Sequence, residues 1–172
     1  MPDLHQRIGM LPDAQELGSI VQRESVRART SVAPLSVAAT FLSIFFYIPF
    51  LLNQGVSASI LTLWAGPILA LMIARGILSR RINARLDTLT APEIKVSDRI
   101  LRASSIANQT VVGLGIWIVQ SPTADAYSVP LFMTLIVVIW SIGVMANLFS
   151  DFLTFIISMP LMIGQNALFW IL

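Results

Sequence analysis

The chain is polar as far as residue 32 and then alternates long apolar blocks with short polar intervals. Residues 33–52 carry no charge. Twenty residues rise about 30 Å as an α-helix, the thickness of a hydrocarbon core. Asn53-Gln54-Gly55 reads as a tight turn. Residues 56–74 form the second block, in which Pro67 removes a backbone donor and should kink the helix. Leu78, Ile82 and Leu86 lie four apart, so the second helix is expected to run beyond its apolar block. Asp87-Thr88-Leu89 should end it, making a helical hairpin with the next helix. Thr90 with Glu93 is a capping-box pattern for that next start, and Ser97 is a rival. Residues 103–120, 130–149 and 151–172 supply the remaining blocks, the last with Pro160 near its middle. The polar intervals between them are residues 121–128 and a turn marked by Asn147, Ser150 and Asp151.

This pattern predicts an all-α fold: a polytopic membrane helical bundle with about five transmembrane helices. Residues 33–172 form the transmembrane domain, and residues 1–32 form an N-terminal tail. Within the tail, Pro12 suits a helix N1 position, and Leu17, Ile20 and Val21 recur at helical spacing. A short amphipathic helix on the membrane surface and a disordered tail are both open readings. Charge sets the orientation. Arg7, Arg23, Arg27 and Arg29 precede the first span. Arg75, Arg80, Arg81, Arg85, Lys95, Arg99 and Arg102 lie between the second and third, which completes the 11 basic residues. Basic residues favour the cytoplasmic side, so the N-terminus is expected there. The chain stops at Phe169-Trp170-Ile171-Leu172 without a polar flank, so a continuation into a sixth span and an output domain is expected.

Composition agrees with a lipid solvent. Hydrophobic residues make up 56% and charged residues 12%, about half the share in soluble domains. Cysteine is absent, which removes disulfides and thiolate metal sites. A single histidine, His5, cannot supply a metal cluster or a triad. No cofactor is expected. The pI of about 9.7 reflects arginines flanking apolar spans, not a nucleic-acid surface.

Candidate chemistry is polar but neutral. Asn108 and Gln109 fall in the third span, and Gln165 and Asn166 in the fifth. They read as helix-packing amides or as the polar floor of a pocket. Trp64, Trp117, Trp140 and Trp170 are candidates for an apolar cavity or for interface anchors. Gly113, Gly115, Ser141 and Gly143 would let the third and fourth helices approach closely. Arg75 is placed at the cytoplasmic end of its span, so no ionisable group is expected deep in the membrane. Pro67 and Pro160 are candidate hinges. For Pro160, the Ser158 hydroxyl is one candidate to satisfy the freed carbonyl.

The run Gly113-Leu114-Gly115-Ile116-Trp117, the loop with Pro122, and the helix with a central Pro160 form a further pattern. Together with the arginine-rich lead-in and basic loop, it resembles the N-terminal membrane sensor region of bacterial sensor histidine kinases and diguanylate cyclases. That resemblance implies a sensory or regulatory module in the bacterial inner membrane, acting on a cytoplasmic output domain. It also implies homodimers or membrane-protein partners besides the lipid bilayer. The chain itself contains no phosphoacceptor histidine, nucleotide-binding or cyclase motif. The alternative is a non-catalytic structural subunit of a membrane complex, or a transporter fragment.

Overall fold

A computed structural model describes residues 14–122, 127–148 and 152–172. The described residues form five helices: α1 Ala14–Asn53, α2 Ala58–Arg85, α3 Ala91–Ile118, α4 Ser128–Leu148 and α5 Phe152–Ile171. No strand occurs among the described residues. By length and apolar content α1, α2 and α5 are each able to cross a membrane, and α4 has a shorter apolar stretch, Ser128–Gly143. Phe41, Leu42, Phe45, Phe46, Leu63, Leu135 and Ile142 are exposed. An apolar surface this extensive marks a membrane protein.

Local sequence explains the element ends. At the α1–α2 turn Gly55 adopts φ 79°, the left-handed region that glycine enters without a Cβ penalty. Val56 N–H donates to the Leu51 carbonyl at 3.1 Å, and Gly55 N–H to Leu52 at 3.0 Å. This is a Schellman closure, with Val56 and Leu51 buried in one apolar cluster. Ser57 then caps α2 by accepting from Ile60 N–H. At the α2–α3 turn the capping box is formed. Glu93 Oε2 accepts from Thr90 N–H at 2.8 Å and from Thr90 Oγ1 at 2.6 Å. The hydroxyl bond, and then the backbone bond, hold the Glu93 carboxyl below the usual glutamate range. α3 therefore starts at Ala91, and Ser97 lies inside it.

Several boundaries differ from the sequence expectation. α1 has no break between residues 14–32 and 33–52, although Pro34 and Pro49 lie inside it. The tail helix and the first span are one rod. α3 ends at Ile118, two residues before the expected limit. Asn147 sits in the last turn of α4, while Ser150 and Asp151 fall outside the described residues, as does Pro12.

α3 is the central helix: it touches α1, α2, α4 and α5, most extensively α5. Two apolar clusters sit along it. The larger includes Leu51, Trp64, Ile68, Ile116, Met133 and Met162. The smaller joins Val26 of α1 to Ile82, Leu86, Ile94 and Leu101 of the α2–α3 hairpin. The hairpin is thus the core of a three-helix foot at the arginine-rich end.

Candidate functional site

The site begins with one stripe of α3. Residues 94, 98, 101, 105, 108, 112 and 115 alternate steps of four and three, which keeps them on one face. All seven are buried: Ile94, Asp98, Leu101, Ser105, Asn108, Val112 and Gly115. The ends of this seam are apolar, and its middle is polar. Gln109 is buried beside it.

The seam's polar middle faces a cavity of about 240 Å³ enclosed by four helices. α3 contributes Ser105, Asn108 and Gln109; α2 contributes Met72 and Arg75. Ser36, Thr40, Ser43 and Tyr47 come from α1, and Ile139, Trp140 and Gly143 from α4. Its rim lies between α1 and α4, where Ala39, Ile139 and Gly143 are exposed. These two helices make the sparsest contact of any touching pair, which leaves a lateral cleft.

The polar lining is incompletely paired. Asn108 is 3% exposed and Gln109 5%, and their side-chain oxygens Oδ1 and Oε1 have no hydrogen-bond partner. Arg75 Nε is buried without a partner, and Arg75 joins none of the ion pairs among the described residues. Arg29, close by, adds charge of the same sign. Buried polar atoms without partners are few in folded proteins, and each calls for an explanation. Five such residues, Trp64, Arg75, Ser79, Asn108 and Gln109, lie on the facing helices α2 and α3.

One layer nearer the arginine-rich end, the charges are paired. Asp98 accepts from Arg29 across 69 positions of sequence and from Arg102 Nε at 2.9 Å. Around this buried centre α1 is tied to the hairpin. Arg23 donates to the Leu89 carbonyl at 3.2 Å, Arg27 bridges to Asp87 at 2.6 Å, and Thr30 Oγ1 meets Asn83 Oδ1 at 3.3 Å.

The residues expected from sequence fall into separate places. Asn108, Gln109 and Trp140 come together in the cleft. Gln165 and Asn166 lie instead between α5 and its neighbours. Gln165 Nε2 donates to Leu161 and Thr110 carbonyls at 2.6 and 3.5 Å, and Asn166 Oδ1 lies 3.5 Å from Thr134 Oγ1. Trp117 packs edge-on against Phe169, which also meets Trp170, and Trp170 stacks on Tyr127. This aromatic group sits at the opposite end from the foot. Trp64 is fully buried in the core. The four tryptophans therefore do not share a cavity.

The expected role of Gly113 is corrected, while Gly115 does meet α4. A Cβ on Gly113 would stand 2.9 Å from Met162 Cα, so this glycine admits α5, not α4. Gly115 faces Trp64 of α2 and Met133 of α4. Pro67 and Pro160 each lie inside an unbroken helix. Ser158 Oγ donates to the Phe155 carbonyl at 3.5 Å, not to Ile156, whose donor Pro160 removes.

Sequence reasoning missed Arg75 as a cleft residue and the Arg29–Asp98 pair. The 4–3 spacing of Asp98, Leu101, Ser105 and Asn108 was the available signal for a buried polar face on α3, but not for the residues of α1 and α2 that meet it. Chemically, the cleft offers one cation, two amides and several hydroxyls, a set suited to holding an oxyanion. No group of three or more potential metal-ligating side chains occurs among the described residues. No protein-family model matches the chain, and no curated protein or solved structure is similar to it.

Proposed function

We propose that the chain is a five-span sensory or regulatory module of a bacterial inner membrane, with its N-terminus and its α2–α3 hairpin in the cytoplasm. The observation carrying this reading is mechanical. α1, α2 and α3 run without a break from the cleft into the ion-paired foot. A change in helix separation at the cleft would reach the cytoplasmic surface through three rods, not through loops. Signalling requires two arrangements of small free-energy difference, one of them favoured by a ligand or a membrane property. The output domain that reads the foot would be a kinase or cyclase, as the resemblance implies.

The five-span count is supported by the position of α3. This helix is too polar to qualify as a span by composition. Its polar face is enclosed by neighbours, so little of that polarity would meet lipid.

A crosslink tests the signalling role. Thr30→Cys with Asn83→Cys, in a chain without other cysteines, would lock α1 to α2 at the foot. In the protein joined to its output domain, oxidation should abolish the response to stimulus, and reduction should restore it. A response unchanged by a fully formed crosslink refutes transmission through the foot.

A further inference from the structure

We propose that the Arg75 cleft binds the headgroup of an anionic phospholipid, entering sideways between α1 and α4 from the leaflet at the arginine-rich end. The inference rests on the membrane-spanning reading of the helices and is independent of the signalling one.

Charge is the first ground. A guanidinium with a buried Nε and no carboxylate partner is costly in a low-dielectric site, and a phosphodiester would satisfy it in fork geometry. The second is hydrogen bonding. The buried oxygens of Asn108 and Gln109 need donors. A glycerol-type headgroup carries hydroxyls that can donate to them, while its phosphate accepts from Arg75. A choline headgroup has no such hydroxyl and repels Arg75.

Depth is the third. Gly76 packs on Val37, which sets Arg75 level with Ser36. Tyr47 lies eleven residues further along α1, about 16 Å deeper at 1.5 Å per residue. The cleft is therefore most polar near the cytoplasmic leaflet. Toward the bilayer centre it is bounded by Tyr47, Met72 and Trp140, where an acyl chain would lie. The last is access. The exposed rim at Ala39 and Ile139 faces lipid, so a lipid reaches the cleft by lateral movement alone. Basic residues concentrated at this end would enrich anionic lipids beside it.

The test uses the full chain, inserted, extracted and delipidated in neutral detergent, and read by native mass spectrometry. Phosphatidylglycerol should be retained about tenfold better than phosphatidylcholine, and Arg75→Gln should erase that preference. Arg80→Gln makes the same charge change at an exposed position and should leave retention within about twofold. Should Arg75→Gln fail to fold, Ala39→Trp, at the exposed rim, should still block retention. Equal retention of the two lipids, or equal effects of Arg75→Gln and Arg80→Gln, overturns the proposal. So does an Ala39→Trp variant that binds normally. Displacement of phosphatidylglycerol by equimolar inorganic phosphate would assign the cleft to a soluble anion and would also overturn it. A chain that carbonate releases from membranes before the lipid assay refutes the spanning reading instead.

Discussion

Asp98 is the side chain on which the foot depends. It is 9% exposed and stands between Arg29, itself 5% exposed, and Arg102. Removing one member of a buried pair leaves the other charged and desolvated, which typically costs about 3–5 kcal/mol. Asp98→Ala should therefore lower stability by about that amount in mixed-micelle unfolding. Asp87 also pairs with an arginine, but it is 80% exposed, so Asp87→Ala should cost less than about 1 kcal/mol. Equal effects would mean that burial is not what gives the Asp98 pair its weight. Half of this centre was visible in the sequence, because Asp98 and Arg102 are four apart on one helix. Arg29 was not, since its partner is 69 positions away and only the fold of α1 onto the hairpin brings them together. The place of Arg75 in the cleft was missed for a related reason. A hydropathy profile reports where a residue stands along a span, but not which face of the helix carries it.

The helices themselves were largely readable, because apolar blocks and turn residues fix where each begins and ends. The Thr90 capping box and the Gly55 turn are local chemistry, and local chemistry survives in sequence. Which helices touch is a long-range question: Gly115 meets the expected neighbour α4, and Gly113 does not. Gly113 brings α3 against the backbone of α5. A methyl group at this point would meet Met162 Cα at 2.9 Å, a backbone atom that cannot rotate away. Gly113→Ala should destabilise the bundle by about 1–3 kcal/mol, the usual range for overpacking. Gly164→Ala is the control on α5, since a Cβ there meets nothing within 4 Å. It should be neutral or gain about 0.5–1 kcal/mol from reduced backbone entropy. Thermal midpoints in one detergent would compare them, and a Gly113→Ala variant as stable as the parent would show that α3 and α5 are not tightly packed.

The molecule as a whole is asymmetric in charge: all 11 basic residues lie in the N-terminal segment or between residues 75 and 102. Under the positive-inside rule this asymmetry fixes the orientation proposed above. An impermeant maleimide applied to intact cells should label Gln54→Cys and Ala124→Cys. Arg81→Cys and Lys95→Cys should react only after permeabilisation, against a background with no cysteine. Labelling at 95 but not at 124 would invert the topology. The polar seam of α3 has a consequence for biogenesis. On the five-span reading, a ribosome delivers this helix to the membrane before α4 and α5 exist. Ser105, Asn108 and Gln109 then lack part of their enclosure, and polar side chains on a lone helix resist insertion. Its most extensive neighbour, α5, begins only at Phe152. At about 5–20 residues per second, synthesis up to that point lags behind α3 by several seconds. During that interval α3 is sheltered by α1 and α2, and then by α4, but not yet by α5. Maturation thus proceeds from the helices that lipid accepts unaided to the one it does not, and α3 is sealed when the last helix arrives.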